Sequence, residues 1–138
     1  AVDDPKWPGT GNWPFNTAFA GKFTGFRAYV SRFDSIVELE EWIAAGIPVI
    51  ISAPYQLLGE QDTGSGNGHV VVCTGFTATG DVTVNDPWAR LEKGQAVRRV
   101  YQRQNVIKAW ATSGNTVYLI YPETAQIPPN RNGHWETR

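Results

Sequence analysis

Gly68-His69-Val70-Val71-Val72-Cys73-Thr74-Gly75-Phe76, followed by Ala78-Thr79-Gly80-Asp81 and then Val82-Thr83-Val84-Asn85-Asp86-Pro87, is the stretch that decides how the chain folds. Two runs rich in β-branched residues flank a short turn, which reads as a β-hairpin. His69 opens the first strand. Asp86 ends the second, where Pro87 fixes the backbone and removes a donor. A carboxylate beside an imidazole selects its tautomer and stabilises its protonated form, as a general base requires. With the turn centred on Thr79-Gly80, Asp86 faces Cys73, and His69 lies on the same face four residues along. That separation is about 13 Å. A bulge, a strong twist or a fold-back at Asp86-Pro87 must close it. On this pattern alone, a strand-opening His is more often an ordinary hydrogen-bonded residue.

Outward from the hairpin, the signals alternate between the two periods. Before it, residues 54–68 read as a long loop with Pro54 and Gly59 and then Gly64, Gly66 and Gly68. Long loops in compact domains are often functional. No GK[ST] follows these glycines, so they are not a phosphate cradle. Residues 47–52 form a short buried strand. Ahead of it lies the clearest helix. Ser35 and Glu38 make an S-x-x-E capping box, Ile36, Leu39 and Ile43 share a face beside Trp42, and Gly46 and Pro48 end it. Residues 26–33 alternate as a strand. Asn12 and Pro14 open a short helix through Phe15, Ala18 and Phe19, closed by Gly21. Residues 1–14, rich in Pro, Gly and Trp, read as a loop with buried aromatic anchors.

After the hairpin, residues 88–96 are a loop, 97–101 a strand, 104–112 a helix and 117–121 a last strand. Five or six strands and three helices, joined mostly by hairpins, predict an antiparallel sheet flanked by helices, an α+β domain. The whole of 1–138 reads as one domain, with 123–138 an irregular C-terminal tail.

Composition narrows the function. The chain has 138 residues, a net charge of −1 and 18 % charged residues, with no run of like charge. It therefore lacks the basic surface of a nucleic-acid binder or a polybasic membrane contact. No apolar run reaches the roughly 18–20 residues of a membrane span. There is no Met, and the chain opens Ala1-Val2-Asp3-Asp4, so it reads as processed or as a fragment. No signal peptide is visible, and a processed chain would have lost one. Six Trp with many Gly and Pro suit a secreted bacterial protein, extracellular or at the cell envelope.

Cys73 is the sole cysteine, which forbids an internal disulfide. It sits in mid-strand, where burial raises rather than lowers a thiol pKa, and so reads as a small core residue and not as a nucleophile. Two His and scattered carboxylates show no metal-ligand spacing, so neither a metal nor another cofactor is expected. His134, in a Pro/Asn/Gly-rich tail, reads as solvated. Ser52 and Ser65 lack a nucleophile-elbow context. Trp7, Trp13, Trp42, Trp88 and Trp110 read as packing residues. Trp88, two residues beyond Asp86, is also a candidate wall of a substrate groove or shield for the His–Asp pair.

Several segments, in order, resemble the C39-like (double-glycine-type) cysteine peptidase domains of bacteria. They are Gly11-Asn12-Trp13-Pro14-Phe15-Asn16-Thr17-Ala18, Gly46-Ile47-Pro48-Val49-Ile50-Ile51-Ser52, and Gly68-His69-Val70-Val71-Val72 with Val84-Asn85-Asp86-Pro87. Val97-Arg98-Arg99-Val100-Tyr101 and Val117-Tyr118-Leu119-Ile120-Tyr121-Pro122 also fit. The resemblance implies a papain-like fold and a catalytic Cys, His and Asp or Asn, with a Gln before the Cys for the oxyanion hole. His69 carries over as general base and Asp86 as its orienter.

The Cys and the Gln have no counterpart here. The resemblance implies that the Cys-bearing N-terminal part of the fold is absent and that the nucleophile comes from an upstream segment or chain, acting on peptide substrates. The chain alone is then expected to be inactive. A non-catalytic module binding peptide or cell-wall fragments is the alternative. A third reading, a fragment with an apolar seam at Trp7, Trp13, Phe15 and Phe19, predicts an exposed face there.

Overall fold

The fold follows from where the short β-branched runs can pair and which of their faces can be covered. In the computed structural model, which describes residues 2–6, 11–59 and 68–137, six strands form one antiparallel sheet. In chain order the elements are α1 (Trp13–Ala20), β1 (Phe26–Arg32), α2 (Ile36–Ala44), β2 (Val49–Ser52), β3 (Val70–Phe76), β4 (Val82–Asn85), β5 (Arg98–Tyr101), α3 (Arg103–Ala111) and β6 (Thr116–Pro122). The strand order is β1-β6-β2-β3-β4-β5. This is the antiparallel α+β arrangement that the hairpin-rich sequence predicts.

Paired residues share a face of the sheet. Val49 lies opposite Cys73, Ile51 opposite Val71 and Val117, and Cys73 opposite Val84. All of these are fully buried, together with Val82 and Leu119, so they form one apolar layer. The layer is closed by Leu39 and Trp42 of α2, Val106, Ala109 and Trp110 of α3, and Phe33. Leu39 and Trp42, three residues apart, meet the sheet from the same side of α2, as helical spacing requires.

The cap of α2 departs from a simple capping box. Ser35 accepts from the Val37 amide, while the Glu38 carboxylate reaches past it to accept from the Asp34 amide at 2.7 Å. The residues called a loop from 54 onward contain a 3-10 turn, Tyr55–Leu58, which buries Tyr55 and Leu58 against α3. Residues 60–67, including Gly64, Ser65 and Gly66, lie outside the described residues.

One expectation about aromatic residues needs correction. Trp13 in the opening segment is exposed, not a buried anchor; Trp7 lies outside the described residues. Phe15, Phe19, Phe23 and Phe26 are exposed as well. Phe23 and Phe26 line a pocket of about 340 Å³ together with Ala20, Thr24 and Ile120, on the sheet face opposite the core layer. The tail runs without helix or strand through residues 123–137, yet it is packed. Trp135 is buried in the core, with its ring 5.4 Å from Phe33 and 5.5 Å from Trp42. Its indole N–H donates to the Pro128 carbonyl at 2.9 Å. Burying this much aromatic surface outweighs the ordering cost of an irregular segment.

Candidate active site

The apolar layer of the sheet ends in polar residues at the open end of the hairpin. On β4 the inward positions are Val82, Val84 and then Asp86, and on β3 they run from Cys73 and Val71 back to His69. The register brings the last two together. Cys73 pairs with Val84 and Val72 with Asn85, whereas beyond Thr74 the pairing shifts to Gly75 with Thr83 and Phe76 with Val82. This bulge, with a turn closed by the Thr77 amide to Asp81 carbonyl bond at 2.8 Å, places Asp86 beside Val71 and not beside Cys73 as expected. His69 is then two residues away rather than four, about 7 Å along the strand, a gap that same-face side chains bridge. Both backbones are pinned: the Ala53 amide donates to the His69 carbonyl and the Asp86 amide to the Val97 carbonyl, each at 2.8 Å.

The result is a direct contact. His69 Nε2 lies 2.9 Å from Asp86 Oδ1. Asp86 is fully buried, and three donors meet its two oxygens. His69 Nε2 and the Trp88 amide, at 2.8 Å, bond Oδ1, while the Tyr101 hydroxyl donates to Oδ2 at 2.8 Å. Burial by itself pushes this carboxyl up; the bonds from His69, the Trp88 amide and Tyr101 outweigh it and hold the group below the ordinary carboxylate range. Asp86 is therefore an acceptor only. The proton of the shared bond sits on His69 Nε2, and Nδ1 keeps a lone pair with no partner among the described residues. An imidazole so held can take a proton at Nδ1 and return it.

Residues that the sequence did not single out complete the surroundings. The Tyr55 ring stands edge-on to His69, with centroids 4.9 Å apart. Arg99, opposite Val84 on β5, reaches under the pair with its Nη1 4.0 Å from Asp86 Oδ2. The placement of Arg99 and Tyr101 on the inward face of β5 follows from strand alternation; their convergence on Asp86 depends on pairing partners that no local pattern specifies.

Trp88 contributes its backbone amide to the pair, while its side chain is half exposed beside it. Cys73 is fully buried in the core, where burial pushes its thiol up to about 12. A thiol in that state forms almost no thiolate at neutral pH.

His134 is not solvated as expected. Its Nδ1 lies 2.9 Å from both oxygens of Glu38, a buried carboxylate, and its Nε2 lies 3.4 Å from Asp34 Oδ1. The sequence showed no metal-ligand spacing, but folding brings Asp34, Glu38 and His134 to within 4.8 Å of one another. Both Glu38 oxygens are already engaged, by the Asp34 amide, the Asn132 side-chain amide at 2.8 Å and His134. The group therefore ties the C-terminal tail to the start of α2. Among the described residues no helix is long and apolar enough to cross a membrane.

The chain matches a crystal structure from Bacillus anthracis described as that of a C39-like peptidase, with a TM-score of 0.59 and 22 % identity over 80 % of its length. It spans 58 % of that protein's chain, and at this identity the match speaks to the fold. No curated protein matches it. The family model, in contrast, covers residues 1–118, including the strand-opening His69 and the Asn85-Asp86-Pro87 turn, and on that match the chain belongs to the Peptidase_C39 like family.

Proposed function

We propose that this chain supplies the His–Asp half of a thiol peptidase site, with the nucleophilic Cys contributed by a segment outside it. The observation that carries this reading is the 2.9 Å contact between His69 Nε2 and a fully buried Asp86, which leaves Nδ1 available as the base. In the reaction, Nδ1 takes the proton of the incoming thiol, and the thiolate attacks the carbonyl carbon of a peptide bond. The C–N bond then breaks, and His69 returns the proton to the departing amine. Water, deprotonated by the same nitrogen, attacks the thioester and releases the acid, restoring the thiol. Asp86 orients the ring and stabilises the imidazolium throughout. Trp88, half exposed beside Asp86, is the proposed wall of the peptide groove.

Two further features support a contributed nucleophile. Cys73, the sole cysteine, is buried in the core. The exposed aromatic surface of Trp13, Phe15, Phe19, Phe23 and Phe26 is the kind of apolar face another segment covers. The buried Cys73 equally favours a second reading, a module that binds peptides without cleaving them.

Peptide hydrolysis assays on this chain and on a longer polypeptide carrying the upstream segment separate the two. The peptidase reading expects no hydrolysis by the chain alone, and activity in the longer polypeptide that His69→Ala abolishes. Activity of the chain alone that disappears in Cys73→Ser overturns the contributed-nucleophile reading. A longer polypeptide that binds peptide and cleaves none, with or without His69, leaves the binding module.

A further inference from the structure

Arg99 is a cation set almost entirely inside the protein, with its side chain 11 % exposed, directly beneath the His–Asp pair. Among the described residues, its donors reach four acceptors. Nε donates to the Ala96 carbonyl at 2.9 Å and Nη2 to Gln95 Oε1 at 2.9 Å, which fix the guanidinium plane against the loop before β5. Nη1 donates to the Tyr55 hydroxyl at 3.1 Å and to the Tyr101 hydroxyl at 3.3 Å. These two tyrosines are the ones that touch the pair, Tyr101 through its bond to Asp86 Oδ2 and Tyr55 through its edge-on ring against His69.

A guanidinium has no acceptor site. Each hydroxyl that Arg99 touches must therefore receive a hydrogen there and turn its own O–H elsewhere. For Tyr101, Asp86 Oδ2 lies 2.8 Å away, and a carboxylate oxygen only accepts, so the O–H donates to it. Asp86 in turn can only accept, which leaves the shared proton on His69 Nε2. Arg99, which only donates, and Asp86, which only accepts, together set the direction of the bonds that run from Arg99 through Tyr101 to the imidazole. Lys in its place would carry the charge but not the planar fork that spans two hydroxyls and a side-chain carbonyl.

We propose that Arg99 is a positioning residue for the His69–Asp86 pair, ordering the proton on His69 Nε2 through Tyr101 and holding the ring plane through Tyr55. The inference deepens, and rests on, the reading of His69 as the base of a thiol peptidase.

The test needs no nucleophile. The chain has two histidines, so ring-labelled protein gives two imidazole signal sets, and His134→Gln assigns them. The readout is exchange of the His69 Nε2 proton with water. In the unaltered chain this proton is expected to be observable and slow to exchange. In Arg99→Gln its exchange accelerates tenfold or more with the fold retained by circular dichroism. Should Arg99→Gln fail to fold, Tyr101→Phe severs the link to Asp86 while keeping the ring, and the same acceleration is expected there. Arg103→Gln, which removes an ion pair with Glu40 at the far end of the hairpin, controls for general loosening and should change the rate less than twofold.

An unaltered chain whose His69 shows no protected Nε2 proton overturns the dyad itself. Protection in the unaltered chain that persists within twofold in Arg99→Gln and Tyr101→Phe removes the positioning role and leaves the dyad standing. Equal acceleration in Arg103→Gln also removes it.

Discussion

Replacing Asp86 by Asn removes a charge and almost no volume, so it isolates what the carboxylate does. Oδ1 accepts from His69 Nε2 and the Trp88 amide, and Oδ2 accepts from Tyr101. An Asn keeps one acceptor oxygen. With that oxygen on the Oδ1 side, its NH2 group meets the Tyr101 hydroxyl. Tyr101 is already receiving a hydrogen from Arg99, and its O–H can no longer donate to the residue-86 side chain. Two of the three bonds survive in weaker, uncharged form, and Arg99 loses its nearby counter-charge. A hydrogen bond to a charged group contributes about 1.5–3 kcal/mol, roughly twice a neutral one. The variant should therefore lose about 3 kcal/mol at pH 7, or on the order of 10 °C in Tm for a chain of this size.

The pH dependence gives a second, signed check. The folded Asp86 pKa lies below its ordinary value of 3.8, so between the folded and unfolded pKa the unfolded chain binds more protons. The Asp86 contribution is thus complete above pH about 4 and is lost as pH falls below that through the folded value. Urea unfolding of both proteins between pH 2.5 and pH 7, buffer points set at about half-unit steps, measures this. The stability gap between them should narrow steadily on the acid side. An Asn variant within about 0.5 kcal/mol of the parent at pH 7, with a parallel acid limb, would falsify an ionised, triply bonded Asp86.

Three other outcomes follow from the packing. Cys73 should resist iodoacetamide in the folded chain and react only after denaturation, since it is fully buried with a thiol pushed up to about 12; fast labelling under native conditions contradicts that placement. Trp42 and Trp110 are both buried, but the Trp42 indole N–H has no partner among the described residues whereas that of Trp110 donates to the Thr116 carbonyl at 2.9 Å. Trp110→Phe should then cost about 1–2 kcal/mol more than Trp42→Phe in chemical unfolding, and equal costs would mean that the Trp42 N–H is satisfied. Trp135→Ala should cost about 3–5 kcal/mol, because the ring fills a site between Phe33 and Trp42; a cost under 1 kcal/mol would show that the tail is not part of the core.

The candidate site was half legible in the sequence. His69 and Asp86 stand out because each sits where a strand meets a turn, at even spacing from the apolar residues of its own strand. Their partners do not. Tyr101 and Arg99 look like ordinary members of the Val97-Arg98-Arg99-Val100-Tyr101 strand, and Tyr55 falls in a stretch read as loop. Nothing in a one-dimensional pattern says that β5 lies next to β4, which is what carries Tyr101 to Asp86. The position of His134 is hidden for the same reason: a tail rich in Pro, Asn and Gly reads as solvated, and only the fold shows the nearby Trp135 anchoring it in the core. Glu38 looked like half of a surface capping box, and the fold buries it because the tail closes over the start of α2.

Local patterning determined the identity and order of the helices and strands, the α+β class, the family resemblance and the face on which each strand carries its apolar residues, because these depend on side-chain period and on turn chemistry within a few residues. Tertiary structure decided the register. Counting from the turn put Asp86 beside Cys73 and too far from His69. The shift between Cys73 and Gly75, together with the turn actually formed, moves it two residues along and closes the pair. A bulge has little local signature, because it is stabilised by what the strands on either side must align. Here those are the buried layer of Val71, Cys73, Val82 and Val84 and the polar cluster at its end, and only their packing together selects the offset that satisfies both.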